Sequence, residues 1–142
     1  MRACLDLAAA AADRGEVPVG AVVVVDDAVV GASGNRCEER GSPLAHAEME
    51  ALHAAFAHVG EGRLPDAELF CSLEPCLMCT GALLHARVRR IVFATRDPKF
   101  GACASLYQLP LDPRLNHRCA VDEGLLAGEA AALLKTFFQR LR

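Results

Sequence analysis

The stretch from Ala67 to Ala94 leaves this chain the least freedom in choosing a fold. Ala67–Leu73 has strand character, Glu74-Pro75 breaks it, Cys76–Ala86 reads as a helix, and Arg90–Ala94 returns to an apolar, β-rich run. A strand, a helix and a second strand joined this closely pair in parallel through a right-handed crossover. The chain therefore has to build a sheet with helices packed over it. Upstream, Val19–Val25 and Ala28–Ala32 flank Asp26-Asp27 as a β-hairpin, which adds antiparallel strands. Arg2–Arg14 predicts a helix with Leu5, Ala8, Ala9 and Ala12 at helical spacing, stopped by Gly15. Gly34-Asn35 and Arg36–Gly41 read as a loop. Ser42 as N-cap and Pro43 in the first turn then open a helix through His46–Val59. Asp97–Asn116 is turn-rich, and Leu125–Leu141 closes the chain as a helix. The expected architecture is α/β: a three-layer α-β-α sandwich around a central mixed sheet.

At 142 residues, with no repeat and no Ser/Pro linker, the sequence predicts one domain over residues 1–142. No apolar run reaches the eighteen or so residues a spanning helix needs, so no membrane role is expected. The alanine-rich start reads as an amphipathic first helix and not as a leader, because Asp6 and Asp13 interrupt it and its apolar positions follow helical spacing. Seven cysteines are an odd count in a chain able to form its own core, which disfavours a disulfide scaffold and favours a reducing, cytoplasmic setting. The net charge of −3 hides an asymmetry: residues 85–142 hold ten Lys/Arg against five acids, a local +5, and the remainder carries −8. That split allows a basic face for phosphates on an acidic protein, or an ordinary mixed surface.

Two short motifs carry chemistry. His46-Ala47-Glu48 and Pro75-Cys76-Leu77-Met78-Cys79 each open a predicted helix. A catalytic zinc takes three protein ligands and keeps an open position for water, and His46, Cys76 and Cys79 supply that number with suitable donors. Cys76 and Cys79, three apart, share a helix face, and the positive end of each helix dipole favours thiolate and carboxylate there. One Zn2+ per chain is expected. Glu48 has no use in a purely structural site. Two thiolates weaken the metal as a Lewis acid, so a nearby base able to take a proton from water and pass it to a leaving group completes a hydrolytic centre.

H-x-E followed by P-C-x-x-C is the signature of the zinc-dependent nucleobase deaminases. The sequence resembles the bacterial tRNA-specific adenosine deaminases, of the cytidine/deoxycytidylate deaminase superfamily, over nearly its full length. The resemblance is carried by Glu16–Val22, Gly34-Asn35-Arg36, Ala45–Glu48, Leu73–Ala82, Arg96–Lys99 and Leu115–Arg118. It implies a cytidine deaminase-like fold and hydrolysis of adenosine to inosine at the wobble position of a tRNA anticodon stem-loop. Activated water would attack C6 of an adenine flipped into the pocket, with Glu48 moving protons until ammonia leaves. It further implies that Asn35 hydrogen-bonds the base, that the Ala47 backbone lies against it, and that Val17 and Leu73 wall the pocket. Asp97 and Lys99 would hold the neighbouring nucleotide. Phe138 and Arg36, with Arg140 and Arg142, are candidates for stacking and phosphate contacts. A homodimer is implied as well. Cys37 stands where the family often has proline.

The residues taken alone leave other readings open. Asn35 after Gly34 also suits a tight turn, and Phe137-Phe138 suits a core face with one ring turned inward. The same zinc chemistry serves a small-molecule deaminase acting on guanine, cytosine or a free nucleotide. A non-catalytic zinc module would need a fourth ligand, with Cys71 or His85 the available donors.

Overall fold

The computed structural model describes Met1–Arg142. Helix α1 (Arg2–Asp13) leads into a hairpin of β1 (Gly20–Val25) and β2 (Ala28–Gly34), followed by a short helix α2 (Cys37–Arg40) and helix α3 (Ala47–Val59). Then come β3 (Glu68–Leu73), α4 (Leu77–His85), β4 (Arg90–Thr95), β5 (Ala120–Glu123) and α5 (Ala127–Arg140). The hairpin turn places Asp26 at φ 50° and Asp27 at φ 62°, the left-handed pair whose twist matches the strands it joins.

The sheet has the spatial order β2-β1-β3-β4-β5. Strand β1 runs antiparallel to both of its neighbours, β2 and β3, while β3, β4 and β5 run parallel, so the sheet is mixed as expected. Helices α1 and α5 cover one face, and α3 and α4 the other. Alternation along each strand divides the core between the layers. Ala21, Val23, Leu69, Cys71, Ile91 and Phe93 point toward α3 and α4 and join Ala47, Ala51, Leu52, Ala55 and Leu83 in the larger cluster. Ala94 points the other way, toward Leu5 and Ala130. The packing of α3 on β2 is so close that a β-carbon on Gly31 would collide with the Ala51 carbonyl and come within 2.7 Å of the Ala55 nitrogen. That contact fixes the height of α3, and with it the position of the histidine and glutamate at its start.

The structure corrects the sequence reading at several points. Strand β5 lay within no predicted element. Its residues are mostly exposed and show no apolar alternation, and it exists because its backbone pairs with β4. The Arg36–Gly41 loop contains α2, ended by Gly41 at φ 56°. Helix α3 starts at Ala47, not at Ser42-Pro43. The Ser42 hydroxyl instead accepts the Leu44 N–H at 3.3 Å and its carbonyl the Ala45 N–H at 3.2 Å, a turn that the Ala45 carbonyl ties to the Arg36 N–H at 3.0 Å ahead of the extended His46. Four arginines of the basic C-terminal half are held in ion pairs. Arg89 and Arg90 pair with Glu68, Arg90 also with Asp122, Arg96 with Glu123 and Arg114 with Asp112.

Candidate active site

His46 and Cys76 occupy equivalent places, each the last extended residue before a helix, with φ/ψ of −66°/151° before α3 and −74°/176° before α4. Their carbonyls begin the helices by accepting the Glu50 and Thr80 N–H groups at 3.0 and 2.8 Å. Parallel pairing of β3 with β4 and packing of α3 beside α4 bring the two helix starts together. Cys76 Sγ then lies 3.6 Å and Cys79 Sγ 3.4 Å from His46 Nδ1, and the three donor atoms lie within 4.8 Å of one another. Zn–S and Zn–N bonds of about 2.3 and 2.05 Å at a tetrahedral angle separate sulfur from nitrogen by roughly 3.6 Å. The donor set therefore fits one tetrahedral zinc with a fourth position left over. Cys71 does not join the cluster but is buried in the core, and His85 is exposed.

The cluster is electrically prepared for a cation. The Cys79 thiol beside it holds the Cys76 thiol down at about 4, against burial and with help from the His46 ring. The Cys79 thiol is correspondingly pushed up by Cys76 and by burial, and the His46 ring is raised by its bond to Cys76. Glu48, in the first turn of α3, is 4% exposed, and burial raises its carboxyl to about 7.

A cavity of about 940 Å³ opens onto this group. Its lining includes His46, Glu48 and Cys76 together with Val17, Asn35, Leu73, Asp97 and Phe138, so most of the residues singled out in the sequence converge. Cys79 sits behind the cavity wall, fully buried, and the Ala47 side chain belongs to the core. Lys99 is exposed, and its backbone N–H bonds Asp97 Oδ1 at 2.9 Å. Arg36 lies outside the lining, paired with Glu39, and Arg140 borders a different groove between α1 and α5. Phe137 is partly turned in, with Phe138 more exposed and packed edge-on to it at 5.4 Å.

Sequence reasoning missed two buried carboxylates that shape the cavity. Glu74, 2% exposed, receives the backbone N–H groups of Asp97, Cys103, Ala104 and Ser105 at 2.7–3.1 Å, and the Ser105 hydroxyl. It holds the Asp97–Ser105 loop across the start of α4, where Gly101 bridges to Cys76 and a β-carbon on Gly101 would strike the Glu74 carboxylate. Glu16, 1% exposed, anchors the opposite wall. Neither had a periodic or spacing signal, because each acts through groups distant in sequence. Leu44, Leu77, Phe100 and Leu141, all exposed apolar side chains, also border the cavity without having been singled out.

Comparison with known proteins adds an independent line. A family model described as MafB19-like deaminase matches residues 1–142. A tRNA-specific adenosine deaminase of Streptococcus pyogenes is 42% identical over 142 residues, spanning 100% of this chain and 89% of its own. A solved structure from work on A-to-I editing by tRNA deaminases at the wobble position of transfer RNA superposes with a TM-score of 0.91 at 41% identity, covering 94% of this chain and 97% of that one. A guanine deaminase from Nitrosomonas europaea superposes less closely, with a TM-score of 0.77 at 28% identity, covering 94% of this chain and 80% of that one.

Proposed function

This chain belongs to the MafB19-like deaminase family, among the tRNA-specific adenosine deaminases, and we propose that it hydrolyses adenosine to inosine at the wobble position of a tRNA anticodon. The observation that carries the chemistry is the His46, Cys76 and Cys79 triad, spaced for one zinc ion, with the buried Glu48 carboxyl in the same cavity. When bound, zinc supplies Lewis-acid activation of water at the position the three donors leave open.

Glu48 moves the protons. Its carboxylate takes one from the attacking water and delivers it to the exocyclic amine at C6, so that adenosine and water give inosine and ammonia. Asn35 hydrogen-bonds the purine, the Ala47 backbone lies against it, and Val17 and Leu73 close around it. Asp97 and Lys99, on the loop held by Glu74, meet the neighbouring nucleotide, and Phe138 stacks at the cavity mouth. Arg36 supplies a phosphate contact by exchanging its exposed partner Glu39 for the backbone. The protein works as a cytoplasmic homodimer. Exposed Leu106, Tyr107, Leu111 and Leu115 on one turn-rich segment offer the kind of surface a subunit contact covers, and light scattering measures it directly. No helix is long and apolar enough to cross a membrane.

The test is inosine formation by the zinc-loaded protein on an anticodon stem-loop bearing a wobble adenosine, beside free adenosine, guanine and a Glu48→Ala control. Inosine in the RNA, lost in the control, is the expected result. Turnover of guanine or free adenosine alone would overturn the RNA substrate in favour of a small molecule.

A further inference from the structure

Asn35 is the one side-chain amide lining the cavity, and an amide has two ends that look alike in shape but not in hydrogen bonding. It is 6% exposed, its backbone N–H is bound to the Val19 carbonyl at 2.9 Å, and its side chain lines the cavity that contains Glu48. Its Nδ2 lies 3.1 Å from Glu16 Oε2. Glu16 also receives the Glu38 N–H at 3.2 Å and the Glu39 N–H at 2.9 Å, both from the first turn of α2. All three partners are donors, so the Glu16 carboxyl serves as an acceptor to each of them. An amide oxygen turned toward it would meet only lone pairs. The other end of the amide is held as well, with the Cys37 thiol donating to Asn35 Oδ1 at 3.6 Å.

From this geometry we infer that Glu16, at the wall of the cavity, is a positioning residue for the deaminase reaction, one that acts through the Asn35 amide and locks it so that it offers the purine a single fixed arrangement. With one N–H tied to Glu16 and one lone pair to Cys37, the amide keeps one N–H and one lone pair free. That donor and acceptor complement the N7 acceptor and N6–H donor of adenine, the edge an amide pairs with in bidentate fashion. Were the amide able to swap ends, each encounter with substrate would first have to select the right orientation, and binding energy would be spent on ordering it. The same carboxylate joins the segment after α1 to the start of α2. The two lips of this wall thus cannot separate without leaving a buried carboxyl short of its hydrogen-bond partners.

The inference rests on the proposed function only for its kinetic readout, so the experiment has two arms. In the first, kcat and KM for the stem-loop are measured for wild type, Glu16→Gln, Asn35→Ala and the double variant, with zinc content and Tm alongside. Glutamine keeps the size of Glu16 but can donate to Asn35 Oδ1 and so permits the swapped amide. Glu16→Gln is expected to lower kcat/KM on the order of tenfold or more in the wild-type background and less than about twofold when Asn35 is already alanine. An equal factor in both backgrounds, as a merely structural role would give, overturns the proposal. In the second arm, solvent exchange of the Asn35 side-chain NH2 is followed by NMR in the zinc-loaded protein. Protection in wild type that is lost in Glu16→Gln supports the clamp. An unprotected NH2 in wild type overturns it and requires no variant to fold. If wild type makes no inosine, the RNA substrate is what falls, and the exchange measurement alone decides the role of Glu16.

Discussion

Glu48 enters no ion pair, and its place at the start of α3 gives it the cavity as its outlet. Exchange for glutamine preserves its volume and removes its ability to carry a proton. Glu48→Gln is therefore expected to lower inosine formation by about 10²–10⁴-fold while zinc, held by His46, Cys76 and Cys79, stays at one ion per chain in elemental analysis. Glu74 works differently. Burial pushes its carboxyl up, but the Ser105 hydroxyl and the N–H groups of Ser105, Asp97 and Ala104 outweigh burial and hold it below the usual carboxylate value of 4.5. A carboxyl with a folded-state value below its unfolded one contributes stability above the unfolded value, and that contribution disappears as pH falls through the folded one. Wild type should thus lose stability on acidification below about pH 4.5 more steeply than Glu74→Gln, which starts less stable at neutral pH. Urea melts at a series of pH values read this directly. Gly101→Ala attacks the same hub from the other side, and a Tm lowered by several degrees with weakened zinc retention is the expected outcome.

Among the elements, α3 and α4 matter most because each brings candidate metal donors to the cavity from its N-terminal end. Their spacing is set by what lies beneath them. The Gly31 backbone of β2 touches α3 so closely that Gly31→Ala must lift the helix, and His46 and Glu48 with it. The substitution should cost about 1–3 kcal/mol by thermal unfolding and weaken zinc affinity in a competition titration, although Gly31 lies outside the cavity. The elements also differ in how far they could be read from sequence. β1, β3 and β4 were legible because β-branched and apolar residues cluster between turn signals, and α4 because Glu74-Pro75 marks its start. β5 and α2 were not. Ala120–Glu123 has no apolar pattern and is a strand only because β4 offers an unpaired edge. Cys37–Arg40 is too short to persist alone and is held by the Glu16 carboxylate, from more than twenty residues upstream.

For the molecule as a whole, one zinc would join α3 to α4 and so close the chain between His46 and Cys76. A ligand that binds the folded state alone adds stability by mass action. Treatment with a strong chelator should lower Tm and abolish turnover together, and stoichiometric zinc should restore both. Loss of activity without any change in Tm would mean that the metal does not bridge the helices. The sequence by itself determined the strand–helix–strand unit, the mixed sheet, and the donors His46, Cys76 and Cys79 with the Glu48 carboxyl beside them as candidates, because each rests on local spacing: hydrophobic period, helix-breaking residues, and donors three or two positions apart. Only the tertiary structure decided which groups meet across those elements. The His46 ring reaches the two sulfurs through packing of one helix on another, and Glu16 reaches Asn35, as Glu74 reaches the Asp97–Ser105 loop, through hydrogen bonds between residues far apart in the chain. A buried carboxylate looks the same in sequence whatever accepts its charge. Its partners are chosen by the fold, since burying it unpaired would cost more than any local preference could repay.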